Sequence, residues 1–464
     1  MRILPSSASL FFLSLLVASG LFFVGCPTAL PEPVVYELSH DDLMDPETCR
    51  QCHASHVEEW ESSMHAYAGR DPVFLAMNAR GQRETDGALG DFCLRCHVPL
   101  AVSAGVTTDG LNLDDVDDNL KGVNCYFCHT VKGTAGDANN PLLREDDDLM
   151  RGAIPAPIEN SAHAMVFSPM HDRKSPLSST MCGSCHDVVN GHGVRLEATF
   201  AEWKDSLFGR DGPEGLSCGD CHMKGRDAPI VGFADAPVRR MHSHLFAAVD
   251  VALDDVTPGQ ELQRAEIQRS LDTTLFAEVC VENVGGGTEI QVTLENFAAG
   301  HSFPSGASMD RRAWVEVEAF LGTNAVFQSG VVDAETSVHD AALADPQLWQ
   351  FRSTVFAEGE EVHMFWNVDE KQDALLLGAQ GINLLDPKYE DVHQSFRYFY
   401  VGLLPDEVKM AVHLRPIGLD VLDDLVQSGD LEQAVKARMP TFTLRSTELT
   451  WKQEDGLRCF PPRR

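Results

Sequence analysis

Residues 182–186 read Cys182-Gly-Ser-Cys185-His186, and the same C-x-x-C-H order occurs four more times. The others are Cys49-Arg-Gln-Cys52-His53, Cys93-Leu-Arg-Cys96-His97, Cys125-Tyr-Phe-Cys128-His129 and Cys218-Gly-Asp-Cys221-His222. With 13 Cys and 18 His in 464 positions, chance supplies about 0.01 such motifs. The spacing fits one chemistry. Two thiols bond the two vinyl groups of one haem, and the adjoining imidazole coordinates its iron. Zinc ribbons pair two C-x-x-C units and need no trailing His. A thioredoxin-type pair occurs once within a βαβ unit, and a disulfide scaffold belongs to a small chain. Five covalent haem c groups are therefore expected, with His53, His97, His129, His186 and His222 as proximal ligands.

The haem cysteines span 49–221, about 40 residues for each ring, too few to build a separate core around each. The rings are expected to pack against one another as a conductive row, and folding should depend on their attachment. This form of attachment is completed outside the cytoplasm, and the N-terminus agrees. Arg2 is the only charge before Cys26, and the apolar stretches 10–17 and 21–24 are shorter than the ~20 residues that span a bilayer. Phe23-Val24-Gly25-Cys26 resembles the lipobox of bacterial lipoproteins, with Phe where Leu is usual. That resemblance implies acylation of Cys26 as the first mature residue. Residues 1–25 then read as a signal peptide and 26–45 as a tether. The expected location is the periplasm or outer membrane and cell surface, with a lipid anchor as the membrane contact. Acidic residues number 70 against 36 Lys plus Arg, a formal net charge of -34. That field repels phosphate backbones, so nucleic acid is not an expected partner.

A sixth iron ligand separates electron transfer from catalysis. Seven further histidines lie between the first motif and residue 250: His56, His65, His163, His171, His192, His242 and His244. Here the chain resembles multihaem c-type cytochromes related to the tetrahaem electron acceptor of hydroxylamine oxidoreductase. The resemblance covers about 46–320. It is carried by Cys49–His53 followed by Glu59-Trp60, Ser63 and His65-Ala66, then by Gly122-Val123-Asn124 before the third motif. Ser168-Pro169-Met170-His171, Thr199, Glu202-Trp203, Ser206, Met223 and His242-Ser243-His244-x-Phe246 continue it. The resemblance implies that His65 binds the iron of a haem distant in sequence, and that His242 and His244 are ligands. His163 and His171 are further candidates. His56 follows its motif closely and reads as a surface residue; His192 sits in an Asn-Gly-His-Gly turn. Methionine at 64, 165, 170 or 223 would also serve an iron and raise its potential.

Beyond about residue 257 the motif stops. Residues 261–271 read as a connecting helix. Residues 289–295 alternate strictly, so one face should be buried. Residues 276–281, 314–320, 397–401 and 410–414 are similar, and Gly285-Gly286-Gly287 separates the first two strands. Residues 419–426 and 431–438 read as short helices, with Gly429 stopping one and Asp430 capping the next. The expected fold is α+β and multidomain: a mostly helical and irregular pentahaem domain (46–250), a connecting helix (251–272) and an antiparallel β-sandwich (273–464). Gly300-His301-Ser302-Phe303-Pro304-Ser305-Gly306 is similar to a G-H-x-F-P-T/S-G element of the same cytochromes. Two readings stand: His301 crosses over to ligate a haem, or the segment is a rigid turn. Arg311 and Arg312 would meet haem propionates or make surface salt bridges. Cys280 and Cys459 would pair in an oxidising compartment, or Cys280 would be a small buried hydrophobe. The acidic runs 114–118 and 145–148 read as solvated loops, or as docking surface for a basic partner. Internal repetition is expected only in the haem motif.

Together these features describe an exported pentahaem cytochrome that passes electrons between redox partners, such as other cytochromes or a quinol-linked or terminal reductase system. Two alternatives remain: a haem oxidoreductase acting on a small nitrogen or sulfur compound at one open iron, and a structural subunit of an extracellular cytochrome assembly. Pentahaem nitrite reductases replace one motif His with Lys, and all five motifs here keep His.

Overall fold

The computed structural model describes residues 36–212, 215–233, 235–383, 385 and 392–459. The signal, tether and Cys26 expectations fall largely or wholly outside them. No helix among the described residues is long and apolar enough to cross a membrane.

Short helices and small two-stranded sheets make up the N-terminal half. Asp45 accepts from the Glu47 N–H and Pro46 occupies the first turn, which starts the helix Pro46–Glu61. His53 leaves helical geometry inside it (φ -113°, ψ 41°), so the first motif forms a kink. Asp71 and Pro72 start the helix Pro72–Glu84 in the same way. The other four motifs each overlap a short helix: Leu94–His97, Cys125–His129, Pro176–Gly183 and Cys218–His222. Between them run the pairs Val131–Thr134 with Leu142–Arg144, Leu149–Gly152 with Ala164–Phe167, Asp187–Val189 with Arg195–Ala198, and Gly225–Pro229 with Val238–His242.

The connecting helix is Gln260–Leu271. After it, among the described residues, come eleven strands in three sheets: a small one of Thr354–Ala357 with Glu360–Glu361 and Glu370–Gln372, and two larger ones that hold the remaining eight strands. Those eight are β1 (Leu275–Val284), β2 (Gly287–Asn296), β3 (Arg312–Leu321), β4 (Asn324–Ser329), β5 (Trp349–Phe351), β6 (Gln394–Val401), β7 (Glu407–Arg415) and β8 (Phe442–Lys452). One larger sheet has the order β6-β2-β1; the other is β4-β3-β7-β8, with β5 also paired to β3, and every pairing is antiparallel. Val281, Ile290, Val292 and Phe399 from the first sheet share one apolar core with Val315, Val317, Val412 and Leu444 from the second. That is sheet-on-sheet packing.

Strand β2 departs from the expected one-sided burial. Gln291 and Thr293, on the face opposite Ile290 and Val292, are also buried. Gln291 pairs with Cys280, and Cys280 is disulfide-bonded to Cys459, which brings the C-terminal segment onto that face. The second of the two short helices covers only Gln433–Lys436, and its N-cap is Glu432. Asp430 instead accepts bonds from Arg83 and Ser428.

Candidate functional site: paired histidines at the thiol motifs

The thiols show how the motifs lie. Cys49 lies close enough to Cys125, Cys96 to Cys185, and Cys182 to Cys218 for the thiols to shift one another's ionisation. Motif 1 therefore sits beside motif 3, and motif 4 sits between motifs 2 and 5. Cys128 of motif 3 lies within electrostatic reach of Cys182 and Cys185, which links the two groups.

Four proximal rings are fixed by the same device. The Nδ1–H groups of His53, His97, His129 and His222 donate to the carbonyls of Ile230, Ala68, Arg151 and Ala247. Such a bond sets the tautomer and leaves Nε2 as the lone-pair atom for a metal. Burial holds His53, His97, His129 and His186 below the ordinary histidine range, and His222 down to about 4. Neutral imidazole is the form that coordinates iron.

Three histidines stand opposite proximal ones. Ring centroids are 6.5 Å apart for His53 and His163, 6.3 Å for His186 and His65, and 6.4 Å for His222 and His301. Two imidazoles on one iron, each with a metal–nitrogen bond of about 2 Å, place their centroids about 6 Å apart. The donor sets at these three motifs therefore fit bis-histidine haem. His163 and His301 repeat the Nδ1–H to carbonyl bond, to Ala164 and Ser302. Burial pushes His65 down to about 3.

Motif 3 is arranged differently. His171 stacks on His129 at 5.3 Å, and its Nε2–H donates to the Cys128 carbonyl (2.9 Å). Its usual metal-binding nitrogen is thus taken up, and its buried Nδ1 has no partner. His56 and His244 lie 4.8 Å apart, and both are within electrostatic reach of His129. His56 is not the surface residue expected: burial pushes it down to about 4, and its Nδ1 is buried without a partner. The ring of His242 lies among Arg173, Arg240, Asp172 and Asp220, not opposite a proximal histidine. His192 is exposed at the tip of its hairpin, as a turn residue should be. At motif 2, Phe74 lies flat on His97 at 4.2 Å, and no histidine ring pairs with His97 among the described residues.

The segment Gly122-Val123-Asn124 has a steric purpose. Val123 N–H donates to the His65 carbonyl (2.8 Å), and Gly122 has φ +72°. A Cβ there would come within 2.6 Å of the His65 carbonyl oxygen and 2.8 Å of that of Ala66. We expect Gly122→Ala to cost about 1–3 kcal/mol and to displace His65. Denaturant melts would register the first effect, and a high-spin signal from one haem the second.

Neither arginine after His301 makes a surface salt bridge. Arg311 clasps Asp250 and donates to the Pro416 carbonyl, which leaves only a buried Nε unpartnered. Arg312 is committed to Asp420 and to the carbonyls of Met309 and Arg311. Nor is the run 145–148 simply solvated. The Tyr126 hydroxyl, inside motif 3, donates to Asp146 (3.2 Å) and to the Asp147 carbonyl (2.9 Å), and Arg151 bridges Glu145 and Asp147.

Residues 48–130 match the family model described as cytochrome c554 and c-prime. The chain is similar in structure to a penta-haem cytochrome c552 from Thermochromatium tepidum. The TM-score is 0.59 at 16% sequence identity, over 87% of this chain and 97% of that one. At that identity the likeness shows a shared fold. No curated protein matches the chain. The family match, which takes in the first three C-x-x-C-H motifs, supports a multihaem c-type cytochrome with covalently bound haem c.

Proposed function

We propose that this chain is a pentahaem electron-transfer protein working outside the cytoplasm, tethered by an acylated Cys26 and exchanging electrons with other redox proteins. The observation that carries the reading is the set of three histidine pairs at 6.3–6.5 Å, each containing the His of a C-x-x-C-H motif. When bound, haem supplies a one-electron iron couple at each site. The chain's own residues do the rest. Paired imidazoles fix the ligand set, so that no ligand exchange accompanies a change of charge. The backbone carbonyls that hold the Nδ1–H of His53, His163, His222 and His301 keep those rings from turning. The fold sets neighbouring motifs side by side, and the surrounding protein excludes water, which keeps reorganisation small.

The test is mass analysis of the natively matured protein combined with reductive titration. Five tetrapyrrole adducts and uptake of five electrons are expected. Four or fewer adducts would end the five-haem reading.

Because no histidine ring among the described residues pairs with His97, motif 2 alone favours a second reading, an iron open to a small ligand. Reduced wild-type protein should then bind about one equivalent of carbon monoxide per chain. No uptake would remove this reading and with it the case for an enzyme.

A further inference from the structure

Two stretches 143 positions apart are built alike. Glu59-Trp60-x-x-Ser63 closes the helix Pro46–Glu61, and Glu202-Trp203-x-x-Ser206 closes the helix Thr199–Asp205. In both, the serine N–H turns back to the tryptophan carbonyl: Ser63 to Trp60 at 2.8 Å and Ser206 to Trp203 at 3.0 Å. In both, the indole N–H donates to a carbonyl two residues before a haem motif. Trp60 reaches Val123, ahead of Cys125, at 2.8 Å, and Trp203 reaches Leu216, ahead of Cys218, at 2.8 Å. In both, the glutamate accepts a backbone N–H from a loop that carries a histidine. Glu59 Oε2 takes the N–H of His244 at 2.8 Å; Glu202 Oε2 takes the N–H of Ser302 at 3.1 Å and the hydroxyl of Ser305 at 2.7 Å.

The second copy shows what the arrangement accomplishes. Its indole grips the lead-in to motif 5, and its carboxylate grips the loop of His301, the ring that stands 6.4 Å from His222 of that motif. One Glu-Trp pair thus spans the two sides of a single iron site. The first copy grips the lead-in to motif 3 and the loop of His244, which lies within electrostatic reach of His129. Nδ1–H of His244 donates to the His242 carbonyl (3.0 Å), so its Nε2 is the atom left for a metal.

We propose that Glu59 and Glu202 are positioning residues of a duplicated clamp, each holding a distal histidine in register with its own motif: His244 with motif 3 and His301 with motif 5. A carboxylate suits this task because its bond to an N–H is charge-assisted and stronger than a neutral one. Glu59 is itself held by Arg226 through Oε1 (3.0 Å) and is 9% exposed. The inference rests on the haem-bearing reading above and on these two histidines as ligands.

The experiment uses mature holo-protein and reads spin state and carbon monoxide uptake after reduction, relative to wild type. His301→Ala and His244→Ala set the scale, each adding about one equivalent of uptake. Glu202→Ala and Glu59→Ala should raise apparent carbon monoxide affinity at the same sites about tenfold, from loss of a hydrogen bond to a charged group. Glu202→Gln and Glu59→Gln keep the packing but weaken a charge-assisted bond to a neutral one, so they should fall between wild type and the Ala variants, an outcome that lost packing alone would not give. If either Ala variant fails to mature, the corresponding Asp variant, one methylene short, carries the same expectation. Uptake by the glutamate variants equal to wild type, while the histidine variants respond, overturns the clamp. Histidine variants that add no uptake overturn the ligand assignment and the clamp together.

Discussion

Replacing Cys182 and Cys185 together by Ser should abolish the mature protein, while the same change at Cys49 and Cys52 should leave a folded chain with four haems. The difference follows from what each half of the molecule has for a core. The strands β1 to β8 close on a continuous apolar core that includes Ile290, Val315, Val412 and Leu444, all fully buried. In the N-terminal half the buried apolar clusters are small. One is Phe74, Leu94, Val98, Ala101, Leu113 and Val116; another is Leu43, Leu100, Tyr126 and Phe127. A half of that kind needs the bound rings themselves as apolar substance, as small metallo-domains need their metals. Motif 4 meets motif 2 through Cys185 and Cys96, motif 5 through Cys182 and Cys218, and lies within reach of Cys128 in motif 3. Its internal Gly183 admits Phe200 so closely that a Cβ would lie 2.2 Å from the ring. Motif 1 lies beside motif 3 alone, through Cys49 and Cys125. Yield of holo-protein and adduct count by mass provide the readout. A motif 4 variant that accumulates with four adducts and melts like the motif 1 variant would show that the haems are cargo, not core.

The proximal half of each site was legible because it is local. Two thiols, three positions apart and followed by His, are brought together by one turn of chain, and nothing distant is needed. The distal half is not local. His65, His163 and His301 reach their partners across 121, 110 and 79 positions, so sequence supplied only a pool of candidates. Within that pool His171 and His242 look as suitable as His163; the carbonyl of Cys128 and the charged neighbours of His242 are tertiary facts. The strands were legible from their two-residue period, because a half-buried strand imposes one. The second face of β2 was not, because its cover comes through the disulfide between Cys280 and Cys459. Asp430 shows the same competition: a good local cap, claimed instead by Arg83 from the other half of the chain. The Glu-Trp-x-x-Ser repeat was in plain view, but its meaning lies in which carbonyl each indole reaches.

The Arg312 side chain, 1% exposed, anchors the helix that meets the N-terminal half, and its loss should be the costliest single change in the β-sheet half. It donates to Asp420, which is nearly as buried, at the start of the helix Leu419–Gln427. On the same helix Asp424 accepts from Arg80 (2.9 Å), a residue of the helix Pro72–Glu84. Arg312→Met removes one member of a buried ion pair and leaves a carboxylate without its cation, a change that costs about 3–5 kcal/mol. The double change with Asp420→Asn should recover part of that, since the uncompensated charge is then gone. His363 adds a pH dependence. It faces Asp420 (3.5 Å) and Asp424 (3.3 Å), and the bond to Asp420 raises it above the ordinary histidine value against burial. Burial works against ionisation of Asp420, yet the bonds from His363 and Arg312 hold its carboxyl below the usual range. A histidine raised on folding stabilises fully below its unfolded value of about 6.5 and loses that contribution as pH climbs through the folded one. The advantage of wild type over His363→Gln should therefore be larger at about pH 6 than at about pH 8.5. Denaturant melts of the oxidised holo-protein at the two pH values measure it. An advantage that is constant or grows with pH would mean that His363 enters this network as a neutral ring.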